Sequence, residues 1–280
     1  MLDRLTLGDH ICWTLDDEAA RLDVIASCAR AGLNSRQRVV YCGDHPLDVL
    51  AGMERRGVRV AAALATGQLR AVTAEETSLA DGHFDPDATA RRWRTAVKRT
   101  IRDGYRGVRV ISDMSWAARG VPGAEYLPWY ESWINSFFAE SPVIAVCAYD
   151  RRLFDPMSLR RIAWSHPGLA GPDLPYDPDF SLRIRRTTEP WGLRLAGEAD
   201  LSNRTAMEAV LDDLCAGTPA GATATVDVTG LRFADNAAAR VLIETAAGGP
   251  GRIRVVGASR ALTRLLAFHG ADRVDRLLLS

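Results

Sequence analysis

The 280-residue chain is almost without lysine: of its 35 Lys and Arg residues all but Lys98 are arginine. Any chemistry that needs a lysine amine therefore has one candidate. Charge imbalance is also missing. The 35 basic residues meet 35 acidic ones, so no global pull toward nucleic acid or an anionic membrane exists. No apolar run approaches the ~18 residues of a membrane span, and the start MLDRLTLGDH puts charges where a secretion signal needs an apolar core. A cytoplasmic protein is expected. Cys12, Cys28, Cys42, Cys147 and Cys215 are odd in number and scattered, with no CxxC pair, which argues against a disulfide framework and a zinc knuckle. They read as reduced core thiols. What is present, 47% apolar and 25% charged residues, is globular, and the length suits two domains.

The stretch Thr223 to Ile243 (TATVDVTGLRFADNAAARVLI) constrains function most. Ala224 to Val228 alternates as a strand does, and Asn236 to Ile243 opens a helix that Asp235 or Asn236 would cap. A Thr-Gly turn lies between. This pattern resembles the STAS domain (sulfate transporter and anti-sigma factor antagonist), with Asp227, Thr229, Gly230, Phe233 and Asp235 at the motif positions. The resemblance implies a docking face made of Thr229, Phe233, Asp235, Asn236 and Ala237. Its phosphorylatable members carry Ser or Thr after the Asp. Here Asn236, Ala237 and Ala238 follow, so the usual acceptor hydroxyl is missing, and Thr229 is the other candidate. The resemblance extends over nearly all of Phe180 to Ser280, with strands at Ser181 to Arg186, Trp191 to Ala196 and Arg252 to Val256, and helices at Ala206 to Leu214 and Ala261 to Phe268.

Upstream, strand and helix patterns alternate. Strands are expected at Leu5 to Thr14, Arg38 to Cys42, Gln68 to Thr73, Val108 to Ser112 and Pro142 to Tyr149. Helices are expected after Asp16-Asp17-Glu18, from Pro46 to Gly57, from Asp85-Pro86 to Gly104, and over Tyr126 to Phe138. Such alternation predicts a parallel α/β sheet with ligands at the carboxyl ends of its strands. GDHICW (Gly8 to Trp13), RVVYCGD (Arg38 to Asp44), Gly67-x-Leu69, DGxFDPD (Asp81 to Asp87), GYRGVRVISDMSWA (Gly104 to Ala117) and CAYDRRLF (Cys147 to Phe154) resemble, in order, the MEDS sensory domain. That resemblance implies a RecA-like fold and recognition of a small organic ligand. The first strand is followed by Asp16, Asp17 and Glu18 in place of a glycine-rich phosphate loop with its lysine, so a P-loop is lacking and nucleotide hydrolysis by that route is not expected. The expected organisation is a sensory domain over 1–168, a Pro-rich linker over 169–179 and a smaller α/β STAS domain over 180–280.

Candidate ligand-site residues are His10, Asp16, Asp44, Asp113, Ser115, Trp116 and Tyr149. Asp113, Ser115 and Trp116 follow the fourth strand, which suits either a site or a capping turn. His10 and Cys12 share a strand face and would suit a metal if Cys42 or Cys147 joined them; a buried imidazole and thiols are the plainer reading. Trp129, Trp133 and Phe137, with Tyr126 and Tyr130, form a stripe that is either a wall for an apolar ligand, joined by Trp13 and Trp116, or core packing. The arginines around Lys98 (Arg91, Arg92, Arg94, Arg99, Arg102) read as a solvated helix face, not a nucleic-acid contact.

The combined expectation is a non-enzymatic signalling protein, without metal or cofactor, that binds a small, mostly apolar or weakly polar ligand rather than a nucleoside triphosphate. By resemblance it docks on an anti-sigma factor with serine kinase activity or on another STAS protein, and self-association is left open. An enzyme built on Asp16, Asp44, Asp113 and Tyr149, and a scaffold without ligand, are the alternatives.

Overall fold

The computed structural model describes residues 2–280. The chain forms two units. The first holds the chain up to Tyr130, Ser141–Ile162 and Leu169–Tyr176; the second holds Glu131–Glu140, Ala163–Gly168 and Asp177–Ser280.

In chain order the elements before the second sheet are β1 (His10–Leu15), α1 (Glu18–Asn34), β2 (Arg38–Cys42), α2 (Pro46–Arg55), α3 (Val60–Ala65), β3 (Leu69–Val72), α4 (Pro86–Arg102), β4 (Val108–Asp113), α5 (Leu127–Trp133), α6 (Asn135–Glu140), β5 (Val143–Asp150), α7 (Pro156–Trp164) and β6 (Gly168–Ala170). The sheet order is β3-β2-β4-β5-β1-β6, and β1 to β5 pair in parallel throughout. The expected α/β architecture is therefore present. Helix starts follow the caps written in the sequence: Asp17 accepts the Ala20 amide at 2.7 Å and Asp85 the Ala88 amide at 2.8 Å. Period-two alternation divides the strands between faces. Ile11, Trp13, Val39, Tyr41, Leu69 and Val146 pack with Ile25 and Ala29 of α1 and Val49 and Met53 of α2. Arg38 points to the other face, where it donates to Thr100 of α4 at 3.2 Å.

The second unit's sheet is built from β7 (Arg183–Thr188), β8 (Trp191–Ala199), β9 (Thr223–Ala234), β10 (Arg252–Val256) and β11 (Leu277–Leu279), with α8 (Arg204–Ala216), α9 (Asn236–Gly248) and α10 (Arg260–Phe268) between strands. Its order is β11-β10-β9-β8-β7. The β7–β8 pair is antiparallel and the rest parallel. Leu193, Leu195, Val226, Val228, Ile253 and Val255 bury their side chains with Met207, Leu211, Leu242 and Leu266 from the helices. The intervening Arg194 and Asp227 pair with each other at 3.0 Å.

Three local expectations are corrected. Thr229-Gly230 is no turn: β9 runs through it to Ala234, with register shifts opposite Arg194/Ala196 and Gly197/Glu198. Gly230 is there for close approach, since a Cβ would meet the Ala196 Cβ at 2.8 Å. The Tyr126 to Phe138 helix is broken between α5 and α6, where the Asn135 amide donates to the Glu131 and Ser132 carbonyls at 2.9 Å each and occupies the acceptors a continuous helix would use. The Pro-rich segment is not an open tether throughout: it includes the end of β6, and Tyr176 is buried with its hydroxyl 3.3 Å from Asp9.

Candidate functional site

Four strands of the first unit reach one place at their carboxyl ends. β1 ends at Leu15, β2 runs into Gly43-Asp44-His45, β4 ends at Asp113 and β5 at Asp150. Side chains from all four line a cavity of about 190 Å³, where parallel α/β sheets hold ligands. Two features of local chain build it. A Cβ on residue 43 would stand 2.4 Å from the Asp113 Cβ and 2.9 Å from the Tyr41 hydroxyl, so glycine lets the β2 loop pass this close. Asp17 starts α1 just after β1, which brings Glu18 and, one turn on, Arg21 over the cavity.

Arg21 is the hub. Its Nε and Nη2 donate to the Glu18 carboxylate at 2.7 and 2.8 Å, and its Nη1 to Asp113 at 3.3 Å and the Tyr41 hydroxyl at 3.4 Å. Burial works against the guanidinium charge, but the bonds the group donates to Glu18 and Tyr41 outweigh it and hold Arg21 more firmly protonated than usual. Burial, with the Asp113 charge behind it, raises the Tyr41 hydroxyl above its ordinary range, so it stays a phenol and donates to the Asp44 carbonyl at 3.2 Å. Ser115 gives both its amide (3.0 Å) and hydroxyl (2.6 Å) to Asp113. Arg119 grips both oxygens of Asp44 through one Nη2, and Arg152 grips Asp150 through its backbone amide, Nε and Nη2. The Arg152 side chain holds the Asp150 carboxyl below the usual carboxylate range.

Of the seven residues expected at a ligand site, Asp44, Asp113 and Ser115 share this lining. Asp16 sits beside the strand end but pairs with Arg151. Trp116 and Tyr149 are 2% and 0% exposed, packed on Phe84 and Phe154 at 5.0 and 5.4 Å between rings. His10 lies at the amino end of β1, roughly 16 Å from Leu15 by strand rise, with its Nε2 3.4 Å from the Cys147 Sγ. Sequence reading missed Leu15, Glu18, Arg21, His45 and Asp150. The apolar wall expected of Trp13, Trp116 and the aromatic stripe is absent from the lining. Trp13 and Trp116 are core, and Tyr126 and Trp129 are more than half exposed. This surface is polar. It offers carboxylate acceptors and one guanidinium, so it suits a small molecule bearing amine, hydroxyl or amide groups better than an apolar one.

In the second unit, Asp235 is the α9 cap. Its Oδ1 accepts the Ala238 amide at 2.9 Å and its Oδ2 the Leu201 amide at 3.0 Å, tying the start of α9 to the loop before α8. Asn236 Oδ1 is 3.0 Å from His269 Nε2 at the end of α10. Around this point Thr229, Phe233 and Asn236 are exposed and Ala237 is half-buried. Leu201 and Phe268, which the sequence did not single out, add exposed apolar surface. The Thr229 amide donates to Asp227 at 3.0 Å, and with the Thr229 hydroxyl foremost and Arg194 behind it the Asp227 carboxyl is held below its usual range.

Comparison with known proteins finds two domains in succession, the first of which includes Glu131–Glu140 of the second unit. The family model described as MEthanogen/methylotroph, DcmR Sensory domain matches residues 9–167, and the one described as Mlab, STAS domain matches residues 182–280. No curated protein matches significantly. Among solved structures, the flagellar accessory protein FlaH from Methanocaldococcus jannaschii is similar at 14% identity and a TM-score of 0.42, over 60% of this chain and 72% of that one. The KaiC-like protein PH0186 from Pyrococcus horikoshii OT3 is similar at 11% identity and a TM-score of 0.43, over 68% and 77%. No described helix is long and apolar enough to cross a membrane. The sensory-domain match alone spans more than half of the 280 residues, and the chain belongs to the MEDS family, with a STAS domain behind its sensory domain.

Proposed function

We propose that this is a non-enzymatic cytoplasmic signalling protein in which a small polar molecule is sensed at the Arg21 cavity and the STAS domain acts as an anti-sigma factor antagonist. Its partner would be an anti-sigma factor with serine kinase activity or a second STAS protein. The observation that carries the reading is the start of α9: Asp235 fixes an exposed docking face, and the positions after it hold Asn236, Ala237 and Ala238 where a kinase would need a hydroxyl. Such a domain stays in the binding-competent state whatever the kinase does, so control passes to the sensory domain. The test is titration calorimetry of the full chain against purified anti-sigma factors and STAS proteins from the same host, with Asp235→Lys in parallel. Binding by the native chain that the variant lowers at least about tenfold supports the reading. Equal binding by both, or none by the native chain, overturns it.

A further inference from the structure

We propose that the first unit carries a second docking site, unconnected with the Arg21 cavity, in which an acidic extended peptide segment of a partner protein adds as a strand beside β3. β3 is the outermost strand of its sheet. The Val39 amide donates to the Gln68 carbonyl and the Gly43 amide to the Val72 carbonyl. By strand alternation Gln68, Arg70 and Val72 therefore spend their backbone groups on β2, while those of Leu69 and Ala71 point outward. Among the described residues no strand lies beyond them. Such an edge is a template for a further strand.

Alongside the edge runs a groove of about 580 Å³ between β3 and α4. It is basic. Arg70 projects from β3 on the α4 side of the sheet, opposite Val40 in the register, and Arg91, Arg92 and Arg99 project from α4. Two carboxylates share the lining, and both are engaged: Asp81 pairs with Arg92 at 2.5 Å, and Asp85 caps α4 at 2.8 Å. Among the described residues Arg99 has only a distant pair, 4.0 Å from Asp103. Among the described residues the guanidinium groups of Arg70 and Arg91 make no ion pair or hydrogen bond, and both residues are exposed.

The two features select one occupant. A strand laid against Leu69 and Ala71 would send alternate side chains toward α4, and directly opposed side chains on neighbouring strands lie ~5 Å apart. Glu or Asp at those alternate positions would reach Arg70 on the strand and Arg91 and Arg99 on the helix. Nucleic acid fits less well, because no aromatic side chain lines the groove for bases to stack on.

The experiment uses the full chain and a fluorescent peptide of about eight residues alternating Glu with Val or Thr, read by anisotropy. The Glu peptide is expected to bind saturably and its Lys counterpart not at all. Arg91→Glu, on an exposed helix face, should lower affinity at least about tenfold. Ala71→Pro should do the same, since it removes an outward amide and leaves the bonds to β2 intact. The decisive arm leaves the protein unaltered: the peptide is N-methylated on alternate amides, in each of the two registers. One register faces β3 whichever way the added strand runs, so one methylated peptide should lose binding and the other keep it, at identical charge. Equal binding by both methylated peptides, affinity unchanged in Arg91→Glu, no binding of the Glu peptide, or tighter binding of single-stranded DNA at the same site would each overturn the proposal.

Discussion

Asp235 holds the backbone amide of Leu201 at 3.0 Å while capping its own helix through Ala238 at 2.9 Å. One carboxylate thus joins the loop before α8 to the start of α9. Asp235→Ala removes an N-cap and a loop tether together, and chemical denaturation should show a loss near the upper end of the ~0.5–2 kcal/mol that cap removal costs. Asp235→Asn keeps an acceptor for Ala238 and should cost less. A loss in Asp235→Ala no larger than in Asp235→Asn would mean that the acceptor retained by Asn contributes nothing, against the capping role.

The same segment should stay unphosphorylated. Asn236, Ala237, Ala238 and Ala239 carry no hydroxyl. Thr229 is exposed and six residues upstream, but its hydroxyl is engaged with Asp227. After incubation with anti-sigma factor kinases, peptide mass mapping should find no phosphate between Asp235 and Ala239, and any modification should fall on Thr229. Phosphate within that segment would remove the basis for constitutive competence.

Much of this architecture was legible because its signals are local. Asp17, Asp85 and Asp235 each precede an apolar-periodic run, and each caps a helix in the structure. Strand ends were readable for the same reason, which is why Asp44, Asp113 and Ser115 were found together. Arg21 and Glu18 were missed because their contribution is tertiary. In the sequence Glu18 marks only a helix start and Arg21 carries no signal of its own, and only the placement of β4 next to β2 puts Asp113 within reach of the Arg21 guanidinium. Trp116 and Tyr149 erred in the opposite sense. Both stand at strand ends, but which way an aromatic turns there depends on partners remote in sequence, and theirs are Phe84 and Phe154. At Thr229-Gly230 a turn-forming pair marks a bulged strand, because the glycine is required by the neighbouring Ala196 and not by its own backbone angle.

Gly43 should prove intolerant of even a methyl group. With the Asp113 Cβ at 2.4 Å and the Tyr41 hydroxyl at 2.9 Å from where its Cβ would lie, Gly43→Ala must move the β2 loop or the end of β4. The expected loss is about 1–3 kcal/mol, the range for overpacking, seen as a lowered denaturation midpoint. Gly57→Ala is the contrast. Its φ of +79° strains any side chain, yet nothing lies within 4 Å, so the cavity should be untouched. If ligand binding found in the native chain survives in Gly43→Ala, the cavity is not where it occurs.

The five cysteines should behave as one silent class. All are buried thiols, none more than 7% exposed, and burial pushes the Cys42 and Cys215 thiols up to about 11. Thiolate is the reactive form, so at pH 7.5 the native protein should resist a disulfide reagent over minutes and yield five equivalents once denatured. A fast-reacting thiol in the native state would indicate that the sheet opens locally.

The Arg21 cavity makes the most exacting demand on a ligand. Its volume of about 190 Å³ restricts the ligand to a small molecule. Its lining joins the Arg21 guanidinium to the carboxylates of Glu18, Asp44, Asp113 and Asp150, each of which already has an arginine partner. A ligand must therefore match existing hydrogen bonds or exchange with them. An amine or hydroxyl can accept that geometry, whereas a triphosphate brings negative charge against four carboxylates with no lysine to offset it. A melting-temperature screen of the full chain should give upward shifts with small amines, amino alcohols or amides and none with ATP and Mg²⁺. A free ligand at a hundred times its Kd would supply about 2.7 kcal/mol, which is readily resolved as a shift. Asp113→Asn keeps the shape and removes the charge that Arg21 and Ser115 both address, so it should abolish the shift for a cationic ligand. Trp116→Ala should destabilise the protein, by about 3–5 kcal/mol for a buried aromatic. In any of that variant still folded, the ligand's increment should persist, because Trp116 is core and not lining. Saturable binding of ATP with Mg²⁺, or a response only to apolar compounds, would refute this assignment of the cavity.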